Sequence, residues 1–182
     1  MNLNLDLDLQ RGTLVRRYKR FLADIELESG EFITAHCANS GAMTACAEPG
    51  RPVFVSDSHN PKRKLRYTWE LIQMGRTWVG VNTARPNHIA AHAIEKGAIP
   101  ELTGYANLKR EVKYGSEGRS RIDILLSNHS STSDCYVEVK NATMRVGNHA
   151  AFPDAVTARG LKHIEELDHV AQNGLRAVMF FF

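Results

Sequence analysis

The sequence lacks the features that mark several protein classes. It holds three cysteines, Cys37, Cys46 and Cys135, in 182 residues. Their number is odd and no Cys-x-x-Cys pair occurs, which argues against a disulfide framework and a structural zinc site. No apolar run approaches the ~20 residues of a membrane span, and the start, with Asp6 and Asp8, does not resemble a signal peptide. The histidines never form His-Glu-x-x-His, and the helical pair His88 and His92 has no evident third ligand. A phosphate-cradling glycine loop and a Gly-x-Ser-x-Gly elbow are both missing, which disfavours P-loop nucleotide hydrolysis and serine hydrolysis. The expectation is a cytoplasmic globular protein with reduced thiols and no membrane partner, compatible with a homo-oligomer.

What the chain does have is 43% hydrophobic residues, enough for a core, and a net charge of +3 that suits a polyanionic partner. The basic residues are clustered. Arg16, Arg17, Lys19 and Arg20 surround Tyr18, while Lys62, Arg63, Lys64 and Arg66 abut Tyr67. Basic residues interleaved with aromatics supply phosphate contact and base stacking, although a solvated charged face explains either cluster alone equally well. Segments 13–27, 31–37, 52–56, 67–72 and 77–82 are β-branched or aromatic and separated by turn signals such as Ser29-Gly30 and Pro49-Gly50. Five such strands within residues 1–83 fit an OB-like β-barrel, and an SH3-like barrel also fits. Asn39, in the Cys37–Met43 connection, is a functional-loop candidate for which a plain turn is the simpler reading.

Residues 84–182 read differently. A short helix at Ile89–Glu95 stops at Gly97, and a strand follows at Asn107–Tyr114. Two more strands, one containing Asp123 and one at Tyr136–Lys140, flank a polar turn at 127–134. Pro153-Asp154 opens a helix with Val156, Gly160, Ile164, Leu167 and Val170 on one stripe, and Arg176–Phe182 closes as an apolar strand. The order helix, three strands, helix, strand predicts an α/β domain ending in a βαβ crossover, hence a two-domain α+β chain. The last strand has the composition of one buried on both faces, and nothing polar follows it, so the sequence is expected to be cut short.

Asp123 and Glu138 fall on neighbouring strands, and alternation puts Glu138 and Lys140 on one face. Such carboxylates offer hard oxygen ligands to Mg2+ or Mn2+, with the Val139 carbonyl as a further ligand and Lys140 available to orient water or stabilise charge. Arg159, Lys162, His163 and Glu166 share one helix face that would meet a phosphate, and Glu111 is a weaker carboxylate candidate. An exposed Glu138–Lys140 ion pair accounts for part of this pattern too.

These residues carry a resemblance to the bacterial sugar fermentation stimulation protein A family. The matching blocks are Arg17–Asp24, Asn39–Met43, Thr68–Leu71, Val81–Thr83, Glu111–Gly115, Ser120–Asp123, Glu138–Lys140 and Phe152–Thr157, with Arg159-Gly160 and Lys162-His163. The resemblance implies an OB-like nucleic-acid-binding barrel at 1–83 and a PD-(D/E)xK nuclease-like domain at 84–182, whose pattern falls on Asp123, Glu138 and Lys140. It also implies a DNA-binding protein linked to sugar utilisation. Two readings follow, both with DNA as partner. In one, Asp123 and Glu138 bind Mg2+, Lys140 assists a water, and Arg159, Lys162 or His163 contacts the phosphate of a cleaved strand. In the other, the chain is a DNA-binding regulator of sugar (maltose) metabolism and the nuclease-like domain is a scaffold. Ser40 stands where the family usually has Thr, and family members continue past Phe182.

Overall fold

The computed structural model describes residues 7–115, 120–147, 149–152 and 158–182. No helix among them is long and apolar enough to cross a membrane. The chain divides into two compact units, Met1–Ala84 with Ala142–Ala155, and Arg85–Asn141 with Val156–Phe182.

The first unit is built on β1 (Leu9–Tyr18), β2 (Leu22–Leu27), β3 (Phe32–His36), β4 (Pro52–Asp57), β5 (Tyr67–Met74) and β6 (Thr77–Gly80). Their order is β3-β2-β1-β4-β5-β6, and a parallel contact at His36↔Thr68 joins β3 to β5. The circuit β1-β2-β3-β5-β4-β1 is therefore a closed, OB-like five-stranded barrel. Alternation turns Leu14, Ile25, Val53 and Val55 into its core, and a register shift opposite Phe54 and Val55 lets both Trp69 and Ile72 of β5 face inward. At Gly12 a Cβ would lie 2.6 Å from the Glu26 carbonyl oxygen, so glycine lets β1 and β2 approach there.

The 13–27 segment is corrected from one strand to two, β1 and β2. The chain reverses at Lys19 (φ 47) and Arg20 (φ 63), left-handed positions filled without glycine and so without a turn signal. The barrel's fifth strand is accordingly β5, and 77–82 contributes β6, an appendage on β5.

The second unit holds α1 (Pro86–Glu95), β7 (Tyr105–Tyr114), β8 (Ser120–His129), β9 (Cys135–Lys140), α2 (Ala158–Gln172) and β12 (Arg176–Phe181). Between β9 and α2 lies a separate ribbon of β10 (Met144–Val146) and β11 (His149–Ala151), strands too short to show periodicity. Strands β7 to β9 form an antiparallel meander, and β12 returns parallel to β9, giving the order β12-β9-β8-β7 and the expected crossover. Ala90, Ala91 and Ile94 of α1 pack with Val137 and Val139, whereas Leu167 and Val170 of α2 pack with Tyr136. Alternation along β9 thus puts the helices on opposite faces of the sheet.

Two expectations are corrected here. The α2 stripe buries Leu167 and Val170 but leaves Ile164 55% exposed, while Pro153, Asp154 and Val156 lie outside the described residues. Strand β12 is a half-buried edge strand among the described residues, not one covered on both faces.

Candidate functional site

The site begins where β8 turns over. Ile124 joins the cluster of α1, yet Ile122, two residues earlier on the same strand, joins the cluster of α2. Plain alternation would put both on one face, so the strand switches facing at Asp123. Across the ladder, Arg110↔Ile124 and Val112↔Ile122 bracket Glu111, whose φ of 54 is left-handed. On the other side the β8–β9 ladder ends at Ile124↔Val137. One step beyond, the Asp123 carboxylate replaces the ladder: Oδ2 accepts the Val139 N–H at 2.7 Å and Oδ1 accepts Asn87 Nδ2 at 2.6 Å.

Glu138 is 2% exposed. Its Oε1 accepts Lys140 Nζ at 2.5 Å and also meets His163 Nδ1, and these two nitrogens are 3.4 Å apart. Its Oε2 is buried with no hydrogen-bond partner among the described residues. The Glu138–Lys140 pair is thus inside the fold, with side chains 2% and 17% exposed, and the exposed-ion-pair reading is corrected. Burial pushes the Asp123 carboxyl up. The Val139 and Asn87 donors oppose that rise, and the Glu138 charge adds to it. Tyr114 is pushed up to about 12 by burial and by the charges of Glu138, Glu166 and Asp123.

Glu166 has a prepared seat beside this tyrosine. Ser120 Oγ donates to its Oε1 at 3.2 Å, and a Cβ on Gly115 (φ +86) would come within 2.4 Å of its Oε2. Asn87, Tyr114, Gly115 and Ser120 were not legible in the sequence as site residues, because pairing of α1 and α2 with β8 brings them in. Lys162 is exposed, His163 faces Glu138, and Glu111 is exposed opposite Asp123. The side chain of Arg159 lies outside the described residues.

The donor set suits a hard divalent cation. Asp123 and Glu138 offer only oxygens, and an orphaned buried carboxylate oxygen is the group such an ion would satisfy. The Val139 carbonyl belongs to the same strand segment, between Glu138 and Lys140.

In the barrel, each basic cluster divides into internal and outward members. Arg17 donates to the carbonyls of Arg20, Ala42, Asn39 and Gly41, clamping a loop in which Asn39 Oδ1 accepts the Gly41 N–H at 2.8 Å. Asn39 is thus a turn former. Arg16 pairs with Asp24 at 2.8 Å and lies 4.8 Å over the Tyr18 ring. Arg63 bonds Thr68, and Arg66 pairs with Asp57 and holds its carboxyl down at about 2. Lys19, Arg20, Lys62 and Lys64 are exposed without an ion-pair partner among the described residues. These four sit on the β1–β2 and β4–β5 connections, the loops that flank the ligand face of this barrel type. Asp8, Asp57 and His59 also bring ligand atoms within 4.8 Å of one another, but Arg66 already neutralises Asp57.

Comparison with known proteins agrees with this architecture. Residues 15–81 match the family model described as the SfsA N-terminal OB domain, and residues 84–182 match that of the sugar fermentation stimulation protein RE domain. A sugar fermentation stimulation protein homolog of Geotalea uraniireducens is 54% identical over 98% of this chain and 76% of its own length. One from Thermosynechococcus vestitus is 52% identical over 96% of this chain and 73% of its own. A solved structure, described as Pyrococcus furiosus SfsA in complex with Ca2+, matches at TM-score 0.84 and 29% identity, covering 100% of this chain and 74% of that one.

Proposed function

The chain belongs to the sugar fermentation stimulation protein family, and from that premise we propose that it binds DNA and cleaves phosphodiesters with a divalent cation, Mg2+ or Mn2+. The observation that carries the proposal is the buried Oε2 of Glu138, without a hydrogen-bond partner among the described residues, whose carboxylate charge acts on a second fixed carboxylate, Asp123. The Pyrococcus furiosus relative is described as a Ca2+ complex, which supports a divalent cation as the partner of this chain. Asp123 and Glu138 would hold the ion, with the Val139 carbonyl as a further ligand. When bound, it would neutralise phosphate charge and acidify a water.

The remaining work falls to the protein's own groups. Asn87 and the Val139 N–H fix the Asp123 carboxylate. Lys140 and His163 hold Glu138 by one oxygen, and the other, without a hydrogen-bond partner among the described residues, would take the ion. The Lys140 ammonium then stands where it can orient an attacking water or offset charge on a phosphate. Binding would come from Lys19, Arg20, Lys62 and Lys64 on the barrel loops.

The test is cleavage of end-labelled DNA with Mg2+ or Mn2+ by the parent, Asp123→Asn and Lys140→Ala. Metal-dependent cleavage lost in both variants supports the proposal, and an inert, well-folded parent overturns its catalytic half. In that case the second reading stands, a DNA-binding regulator, which the two outward basic loops favour independently of the acidic centre.

A further inference from the structure

The barrel face made by β1, β2 and β3 carries apolar groups that its core does not use. Phe32 on β3 is 68% exposed and Val15, at the bulge between Leu14 and Arg16 on β1, is 41% exposed. With Arg16, Asp24, Ile33 and Thr34 they line a hollow of about 410 Å3. Its one carboxylate is already satisfied: Asp24 accepts Arg16 Nε at 2.8 Å, Thr34 Oγ1 at 2.8 Å and Tyr18 Oη at 3.2 Å. The Arg16 guanidinium lies over the Tyr18 ring, and its own side chain is 66% exposed. The β1–β2 turn ends this face with the exposed Lys19 and Arg20.

We infer that this face is a stacking platform for single-stranded DNA, running from the Arg16–Tyr18 pair to Phe32. The inference rests on the DNA-binding half of the proposed function and adds the strand preference and the residues that set it. From Leu22 to Glu26, the β2 neighbours of the two ends, the span is roughly 13 Å at ~3.3 Å per residue. That accommodates about three to four stacked bases at ~3.4 Å each. Unpaired bases expose π-faces to Phe32 and the Arg16 guanidinium, while Lys19 and Arg20 take the phosphates. Bases in a duplex keep those faces inside their own stack and gain only the phosphate contacts. The strand 2–3 face is also where barrels of this type take oligonucleotides.

The test is fluorescence anisotropy with the full chain in EDTA, using labelled oligo(dT) of about 12 nucleotides, within the span of one such barrel, and a duplex of equal length. The parent should bind the single strand more tightly. Phe32→Ala, a change at an exposed position, should weaken it roughly five- to hundred-fold with duplex affinity unchanged. Phe32→Trp should restore affinity and show quenching of its added fluorescence on binding. Equal binding of oligo(dT) by parent and Phe32→Ala, or preference for the duplex, overturns this platform while leaving DNA binding intact, and would assign the face to a protein partner. If the parent binds neither DNA, both this inference and the reading beneath it fail.

Discussion

Glu138 gives one carboxylate oxygen to Lys140 and His163 and leaves the other without a partner among the described residues, a split that suits a cation more than a stable core. Removing a partner from a buried ion pair costs ~3–5 kcal/mol, and somewhat less where a second donor remains. Lys140→Ala should therefore lower unfolding stability by about 2 kcal/mol or more in urea titration, with part of the loss recovered by adding Mg2+. A loss unaffected by Mg2+ would argue against a cation at Glu138. Tyr114 gives a second prediction. Its hydroxyl is held up at about 12, whereas an unfolded chain ionises near 10. The unfolded state thus loses its proton first, so stability is fully present below about pH 10 and falls toward pH 12, by roughly 2–3 kcal/mol in all. Denaturation of Tyr114→Phe should lack that part of the alkaline slope, and an unchanged slope would contradict the assignment. Asp123, Glu138 and Lys140 were legible because strand alternation and hairpin spacing are local. Asn87 and the Glu166 seat were not, because they depend on where α1 and α2 land on the sheet.

At the scale of elements, the β1–β2 turn holds two left-handed, non-glycine residues at a basic tip, and such strain concentrates at functional positions. Arg20→Gly should stabilise the fold by up to ~1 kcal/mol while weakening DNA binding. A thermal melt and a binding isotherm on the same variant check both signs. Arg17, one residue of the same basic run, behaves differently because its guanidinium holds the 39–42 loop. Arg17→Ala should cost roughly 1–3 kcal/mol of stability and leave the salt slope of DNA binding unchanged. A lowered slope at full stability would return Arg17 to the phosphate contacts. Charge clustering was visible in the sequence. Which guanidiniums are engaged internally was not, since the carbonyls that Arg17 meets lie in the 39–42 loop and the carboxylate that Arg66 meets, Asp57, lies on β4.

For the whole molecule, a small β-barrel followed by a helix–strand unit was readable from punctuation and periodicity, but the division of 13–27 into two strands was not, and the closure of the barrel required the His36↔Thr68 pairing that no local pattern encodes. If the outward lysines contact phosphates, Lys19→Gln and Lys62→Gln should each lower the slope of log affinity against log salt by about one. Unchanged slopes would remove those loops from the interface. Cation binding at Asp123 and Glu138 is measured most directly by calorimetric titration of Mg2+ or Ca2+ into the full chain, beside Asp123→Asn and Glu138→Gln. The parent should bind about one ion per chain, with binding lost in both variants. A parent that takes up no ion, or a Glu138→Gln protein that binds as the parent does, would contradict it.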